Sequence, residues 1–235
     1  MRSLLRSLRA SLVISASLCL GFVSSAQALS LADLLAPGES MVSGTLQFSQ
    51  FAYSNTGDMA KAQDIMVAMF VDDKGNAGIS ITGDFMDMRS SPGPSAASIS
   101  YSVSVLDTLS PDLVVEAVTM RADFILDGPG YANLNANVLN GSLELIQLFS
   151  HNFDEEGSSG VNSAMRVLTS PSRQINVVMD NIDAFAPASL DKIDPSPAFA
   201  KITTIEQTFT VVPEPETALL VGLGLAGLGL AGKQS

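Results

Sequence analysis

Short runs of alternating apolar residues, separated by turn-forming clusters, predict an all-β fold: a single antiparallel β-sandwich of jelly-roll-like type. Three observations carry this. Ile65, Val67, Met69 and Val71 keep strict period two, and so do Ile99, Tyr101, Val103 and Val105 against Ser98, Ser100, Ser102 and Ser104. Helical periodicity is nearly absent between residues 29 and 212. Many short strands at this spacing argue for a sandwich rather than a parallel α/β sheet.

The first 28 residues stand apart from that body. Arg2, Arg6 and Arg9 precede an apolar stretch through Leu12, Val13, Ile14, Leu18, Leu20, Phe22 and Val23, which leads to Ala26-Gln27-Ala28. This is the order of a secretory signal peptide, with Ala26 and Ala28 as the small residues before the cut, so cleavage after Ala28 is expected. The stretch is broken by Ser15 and Ser17 and falls short of the roughly 20 residues of a spanning helix. Leu18 precedes Cys19 where lipid attachment needs a small residue. Removing the segment takes away the only Cys, so the exported body has no disulfide, thiol nucleophile or thiolate metal site.

Within the body, 31–35 fits one helical turn, capped by Ser30 and stopped by Pro37-Gly38. Leu46 and Phe48 open a strand whose inward parity shifts after Gln50 to Phe51 and Tyr53, as an inserted bulge residue causes. Residues 65–71, the turn Asp72-Asp73-Lys74-Gly75-Asn76 and then Ile79 and Ile81 form a hairpin. Residues 90–95, Ser-Ser-Pro-Gly-Pro-Ser, read as a surface loop before the serine-alternating strand, which has one face buried and one wet. Further strands are expected at 113–126, 165–168, 175–182 and 202–212. Leu143, Leu145, Ile146 and Phe149 fit a helical stripe nearly as well as a strand. Turns are expected at 128–130, 140–141, 157–160 and 194–197.

At the C-terminus, Val212-Pro213-Glu214-Pro215 ends the last strand, since neither proline can donate a ladder hydrogen bond. An uninterrupted apolar run then covers 218–232 and is followed by Lys233-Gln234-Ser235. Fifteen residues make a helix of about 22 Å, shorter than a hydrocarbon core of about 30 Å. Small residues four apart, such as Gly222 and Ala226, suit close helix packing in a bilayer.

This order of Val-Pro-Glu-Pro, greasy run and terminal cation resembles the PEP-CTERM tail of exported bacterial proteins handled by an exosortase. The resemblance covers 212–233. It implies a transient inner-membrane anchor through 218–232, recognition of the sorting motif Pro213, Glu214 and Pro215 by the membrane protease, cleavage nearby, and delivery to the cell surface or extracellular polymer. Such tails usually end in several arginines, whereas this one has only Lys233, a weaker cytoplasmic stop. The segments 30–35, 44–51 and 205–209 are similar to a β-rich body type found ahead of such tails, a type without an established activity. The chain is therefore divided as signal peptide 1–28, sandwich 29–212 and sorting tail 213–235, with a signal helix and a hydrophobic helix flanking the sandwich.

Charge and motifs bound the function. The chain has 24 acidic and 12 basic side chains. Setting aside Glu214 and Glu216, and Arg2, Arg6, Arg9 and Lys233, leaves the body with 22 acidic and 8 basic groups, a formal charge of −14. Such a surface repels nucleic acid and anionic headgroups, which excludes nucleic-acid partners. Gly222 to Gly227 satisfies GxGxxG but lies in the tail without a βαβ unit, so no dinucleotide cofactor is expected. His151, the only histidine, sits beside Asp154-Glu155-Glu156 in an expected loop; one imidazole cannot build a typical zinc site. The acidic turns at 72–76 and 154–157 offer oxygen ligands for Ca²⁺ without EF-hand spacing. Asn140-Gly141-Ser142 reads as an Asn-Gly turn rather than a glycosylation acceptor.

No catalytic, cofactor-binding or metal-ligating residue is assigned. The expected protein is a non-enzymatic surface or matrix component associated with exopolysaccharide or biofilm, with signal peptidase and exosortase as export partners and polysaccharide or surface proteins as later ones. A carbohydrate-binding module is the rival reading, to be supported by exposed Tyr53, Tyr101 or Tyr131 on one sheet. A sandwich glycoside hydrolase or lyase, with two carboxylates facing across a cleft, is the other.

Overall fold

The computed structural model describes residues 28–88, 93–106, 112–139, 143–152, 158–187 and 198–214. Among the described residues twelve strands follow in chain order: β1 (Ala28–Ser30), β2 (Ser40–Ser43), β3 (Leu46–Asn55), β4 (Met66–Val71), β5 (Ala77–Met88), β6 (Ser95–Val105), β7 (Leu113–Asp127), β8 (Gly130–Leu139), β9 (Leu143–Asn152), β10 (Ser158–Ser172), β11 (Gln174–Phe185) and β12 (Phe199–Pro213). A one-turn helix α1 (Leu31–Leu34) follows β1, and a 3-10 turn at Ala62–Asp64 precedes β4. The strands form two six-stranded antiparallel sheets, β1-β4-β5-β12-β7-β10 and β2-β3-β6-β11-β8-β9, here sheets A and B. Only the β2–β3, β4–β5 and β8–β9 connections join hydrogen-bonded neighbours in one sheet; every other one carries the chain across the sandwich.

The core lies between the sheets and follows from strand alternation. Phe48, Tyr101, Ile99, Val103, Leu134, Val177 and Met179 point inward from sheet B, and Ile79, Ile81, Phe85, Met120, Phe124, Ile205 and Phe209 from sheet A. Phe48 packs at 5.6 Å, centroid to centroid, on Phe209 of the opposite sheet and at 6.2 Å on Tyr101. Phe51 stacks on Tyr101 at 5.4 Å. Each such aromatic removes a large apolar area from water, the main favourable term available to a chain without disulfides.

Local chemistry explains the expected elements. Ser30 caps α1, its Oγ accepting from the Asp33 N–H at 3.1 Å. The parity shift after Gln50 is a bulge: the β3–β6 register slips between Ser49 and Ala52, and Gln50 has φ 57°. In the β4–β5 hairpin, Asp72 Oδ1 accepts from the backbone of Lys74 and Asn76, and Oδ2 from Asn76 Nδ2 at 2.8 Å. That carboxylate is thereby committed to shaping its own turn.

Several expectations are corrected. The 143–149 ambiguity resolves as strand: Glu144, Ile146 and Leu148 face inward while Leu145 is 52 % exposed, because an edge strand alternates where a helix would have clustered them. Ser95 is not loop but the buried first residue of β6, its Oγ donating to Asp87 Oδ1 at 2.6 Å. Ser158, Ser159 and Gly160, expected in a turn, belong to β10 and pair with Leu126, Ile125 and Phe124 of β7. His151 lies in β9 opposite Tyr131, not in a loop. Ser102, expected on a wet face, is buried beneath Gln50 and Asn176, 2.9 and 2.7 Å away. Strand β8 has no counterpart among the expected strands.

The two expected flanking helices, the turns at 140–141 and 194–197 and the acidic segment 154–157 lie outside the described residues, except that Ala28 opens β1 and pairs with Ala68.

Candidate functional site

Two places in this frame bear on function: the exit of the tail, and the outer face of sheet B. At the exit, β12 is a central strand flanked by β5 and β7. Its pairing with β5 ends at Phe209, whereas its pairing with β7 continues through Val212 with Val114 and Pro213 with Leu113. Glu214 then donates its N–H to the Asp112 carbonyl at 2.7 Å. The motif's first two residues are thus still held by the body, and Pro213 fits because a strand-end proline lacks only a donor. The strand runs one residue past the expected boundary at 212. Pro215, and Ala26 on the signal side, lie outside the described residues.

The outer face of sheet B is built by β8 and its neighbours. In β8, Ala132, Leu134, Ala136 and Val138 are fully buried against the core, so alternation turns Tyr131, Asn133, Asn135 and Asn137 outward. Across the ladder to β11 these meet Phe185, Asp183 and Asn181, with Phe185 opposite Tyr131, Asp183 opposite Asn133 and Asn181 opposite Asn135. Strand β9 places the exposed Gln147 on the other side of Asn135. Gln147, Asn135 and Asn181 therefore form a row of three amides across three strands, about 4.8 Å apart.

A bulge in β11 enlarges this cluster. The register slips between Val178 and Asn181 against β8, and between Met179 and Ile182 against β6, so Asp180 and Asn181 both lie outside the inward row. Asp180 Oδ2 accepts from Asn137 Nδ2 at 2.7 Å. Burial pushes the Asp183 carboxyl above its ordinary range; a hydrogen bond from Asn181 opposes this and the Asp180 charge adds to it. Asn133 is 9 % exposed, and its Oδ1, like that of Asn135, is buried without a hydrogen-bond partner. At the end of the cluster the rings of Tyr131 and Phe185 lie 5.6 Å apart at 43°. Gly130 permits this arrangement, since a Cβ there would sit 2.5 Å from the Phe185 carbonyl oxygen.

Sheet A presents a different outer face. Shallow grooves on it carry cations that already pair with carboxylates, Arg121 with Glu206 at 3.0 Å and Lys201 with Asp84 at 2.6 Å, beside the further acidic residues Asp72, Asp73, Asp58 and Asp64; Arg121 also lies 3.7 Å from Asp123. Of the three tyrosines weighed from sequence, all stand on sheet B, but Tyr101 is buried and Tyr53 turns inward to donate to the Ala60 carbonyl. Only Tyr131 faces outward. The asparagines of the face escape a sequence reading because Asn is depleted in strands. A signal is present all the same, in the alternation of Ala132, Leu134, Ala136 and Val138 and in the parity change from Met179 to Ile182.

Among the described residues no helix is long and apolar enough to cross a membrane; 218–232 lies outside them. Residues 211–234 match the PEP-CTERM protein-sorting motif family. A comparison with curated protein sequences returned no match. Among solved structures, the chain is similar to TmCBM61 in complex with β-1,4-galactotriose, at TM-score 0.29 and 10 % identity over 71 % of this chain and 90 % of that one. It is also similar to the enzymatically active domain of bacteriophage CBA120 tailspike protein 4, at TM-score 0.30 and 8 % identity over 68 % of this chain and 19 % of that one. A third is the CBM22-1 xylan-binding domain from Paenibacillus barcinonensis Xyn10C, at TM-score 0.25 and 13 % identity over 67 % and 85 %. These TM-scores support no residue correspondence.

Proposed function

We propose that this chain is an exported surface or matrix protein, processed by an exosortase at its tail, whose sandwich associates with extracellular polysaccharide without catalysing a reaction on it. The observation that carries the reading is the sorting motif at 211–234 issuing directly from a central strand of a folded β body. A signal peptide ending at Ala28 delivers the chain across the inner membrane, and the apolar run 218–232 holds it there until the cut. What remains is an acidic sandwich that stays dispersed through its own charge. Cell-surface proteins are further partners within this reading, and no cofactor is part of it.

The test is fractionation of a producing cell that makes both exosortase and extracellular polymer. The wild-type chain is expected with the extracellular polymer, and a chain with Pro213, Glu214 and Pro215 all changed to alanine in the inner-membrane fraction. Equal recovery in the polymer fraction for both chains contradicts the sorting step. Release of the wild-type chain into the medium without association with the polymer contradicts the polysaccharide role, and release of reducing ends from the polymer contradicts the non-catalytic one.

A further inference from the structure

The outer faces of the two sheets differ in kind. On sheet A, the cations Arg121 and Lys201 pair with Glu206 and Asp84 across neighbouring strands, among further carboxylates. On sheet B, the rungs from Tyr131 to Asn137 and from Asp180 to Phe185 contain five amide and carboxylate side chains beyond Asn137 and Asp180's own pair, counting Gln147, and no Lys or Arg. Each amide offers a donor and an acceptor in one plane, the pairing a sugar hydroxyl needs because it too both donates and accepts.

We propose that this face is a saccharide-binding site for a neutral polysaccharide lying along β8, with Asn133, Asn135, Gln147, Asn181 and Asp183 contacting hydroxyls and the Tyr131–Phe185 pair packing against a sugar ring. The inference rests on the polysaccharide reading above and gives it a place. Geometry supports it in three ways. The Oδ1 atoms of Asn133 and Asn135 are buried without a partner, an arrangement that costs free energy unless something supplies the donor. The terminal torsion of an asparagine is broad, so a hydroxyl entering between the rungs can be met by a small turn of the amide. The β11 bulge brings Asp180 and Asn181 to this same cluster, and bulges commonly re-aim side chains beside binding sites.

Electrostatics point the same way. Asp183 is kept partly desolvated beside Asp180, a placement that works against its own charge and that a hydroxyl donor relieves. With two carboxylates and no cation in the cluster, inside a body of charge −14, a uronate-rich polymer is repelled and a neutral one is not. The length also fits. Residues 131 to 137 span about 20 Å at about 3.4 Å per residue, room for an extended run of several sugar units rather than a single one.

The experiment uses the secreted protein and the producing cell's own extracellular polymer, separated by anion exchange into neutral and acidic fractions, with laminarin, galactan and mannan as defined neutral probes. Affinity electrophoresis is expected to show retardation in the neutral fraction and in at least one defined neutral glycan. Asn135→Ala and Asp183→Ala should each weaken retardation by about tenfold or more, the loss of one well-formed polar contact to a charged or desolvated group. Thr208→Ala, on the outer face of sheet A, should leave it unchanged. Thermal unfolding of each variant separates loss of binding from loss of fold, and Asp183→Asn, which removes the charge and keeps the shape, should remain folded while binding more weakly.

Retardation that survives both substitutions in folded variants overturns the site while leaving the polysaccharide reading intact. No retardation by any fraction overturns both. Retardation by the acidic fraction alone overturns the assignment of a neutral ligand. A concentration-dependent dimer that Asn135→Ala abolishes, with no glycan retardation, gives the face to a second copy of this chain and overturns the proposal.

Discussion

Tyr101 of sheet B donates its hydroxyl hydrogen to Gln207 Oε1 of sheet A, so a polar contact crosses the apolar core between the central strands β6 and β12. Both side chains are almost wholly buried, and Gln207 Nε2 is left facing Met120 Sδ at 3.5 Å. The pair fixes the lateral setting of one sheet on the other, which apolar packing alone leaves loosely specified. Tyr101→Phe strands the Gln207 carbonyl and should lower stability by about 1–3 kcal/mol in denaturant unfolding. Adding Gln207→Leu removes the stranded group, and the double variant should recover part of that loss.

The phenols predict an alkaline limit. Burial raises Tyr53 to about 12 and Tyr101 well above its ordinary value of 10.0. For a group whose folded pKa lies above its unfolded one, the stabilisation is complete below the unfolded value and is lost as pH rises through the folded one. The phenols' contribution should therefore be level up to about pH 10 and fall between about 10 and 12. Absorbance at 295 nm should show Tyr101 ionising only together with loss of the near-ultraviolet circular dichroism of the fold.

Acid should act through Glu144. This buried side chain of β9 accepts from Arg166 Nε at 2.7 Å and from the Thr169 N–H at 3.2 Å, both on β10, and so closes the open side of the sandwich between two edge strands. The Arg166 hydrogen bond, followed by that from Thr169, holds its pKa below the usual 4.5. Its stabilisation is thus present above about 4.5 and lost as pH falls. Glu144→Gln should lower the melting temperature at pH 7, and the difference from wild type should shrink on acidification to pH 3.

Asp183 has the opposite sign. Its folded pKa is raised above 3.8, so its charge opposes folding once pH passes that window. Asp183→Asn should raise the melting temperature at pH 7 while weakening glycan retention. A gain in stability paired with a loss of binding is what a merely structural residue does not show.

Gly130→Ala tests the platform. The added Cβ meets the Phe185 backbone oxygen, which cannot rotate away, so the β8–β11 ladder must shift. The expected cost is about 1–3 kcal/mol in urea unfolding, together with altered tyrosine fluorescence as Tyr131 moves against Phe185.

The fold is legible in the sequence wherever period two is uninterrupted. The strand read at 65–71 is found as Met66–Val71, with Ile65 and Val67 buried as read and Val71 exposed instead; the Asp72 turn stands as read, and the change of parity at Gln50 is enough, from residue types alone, to place a bulge. Legibility fails where partners distant in sequence decide. Ser158 to Gly160 resembles a turn locally, yet β7 recruits it as an edge strand, and Leu145 looks like core until β9 is seen to have a wet side. The sorting motif is recognised through the resemblance carried by Pro213, Glu214, Pro215 and the apolar run that follows, whereas the amide face requires β8 and the β11 bulge, because asparagines far apart in the chain become one surface only when the strands pair.

Processing at the tail remains the claim on which the rest depends, and the intact mass of the protein recovered outside the cell tests it most directly. In cells with an active exosortase, the mass should correspond to a chain that begins after Ala28 and ends near Pro213-Glu214-Pro215, with 218–232 removed; in cells lacking the enzyme, the chain should stay with the inner membrane and keep Ser235. Recovery outside exosortase-containing cells of a chain that still ends at Ser235 contradicts the account.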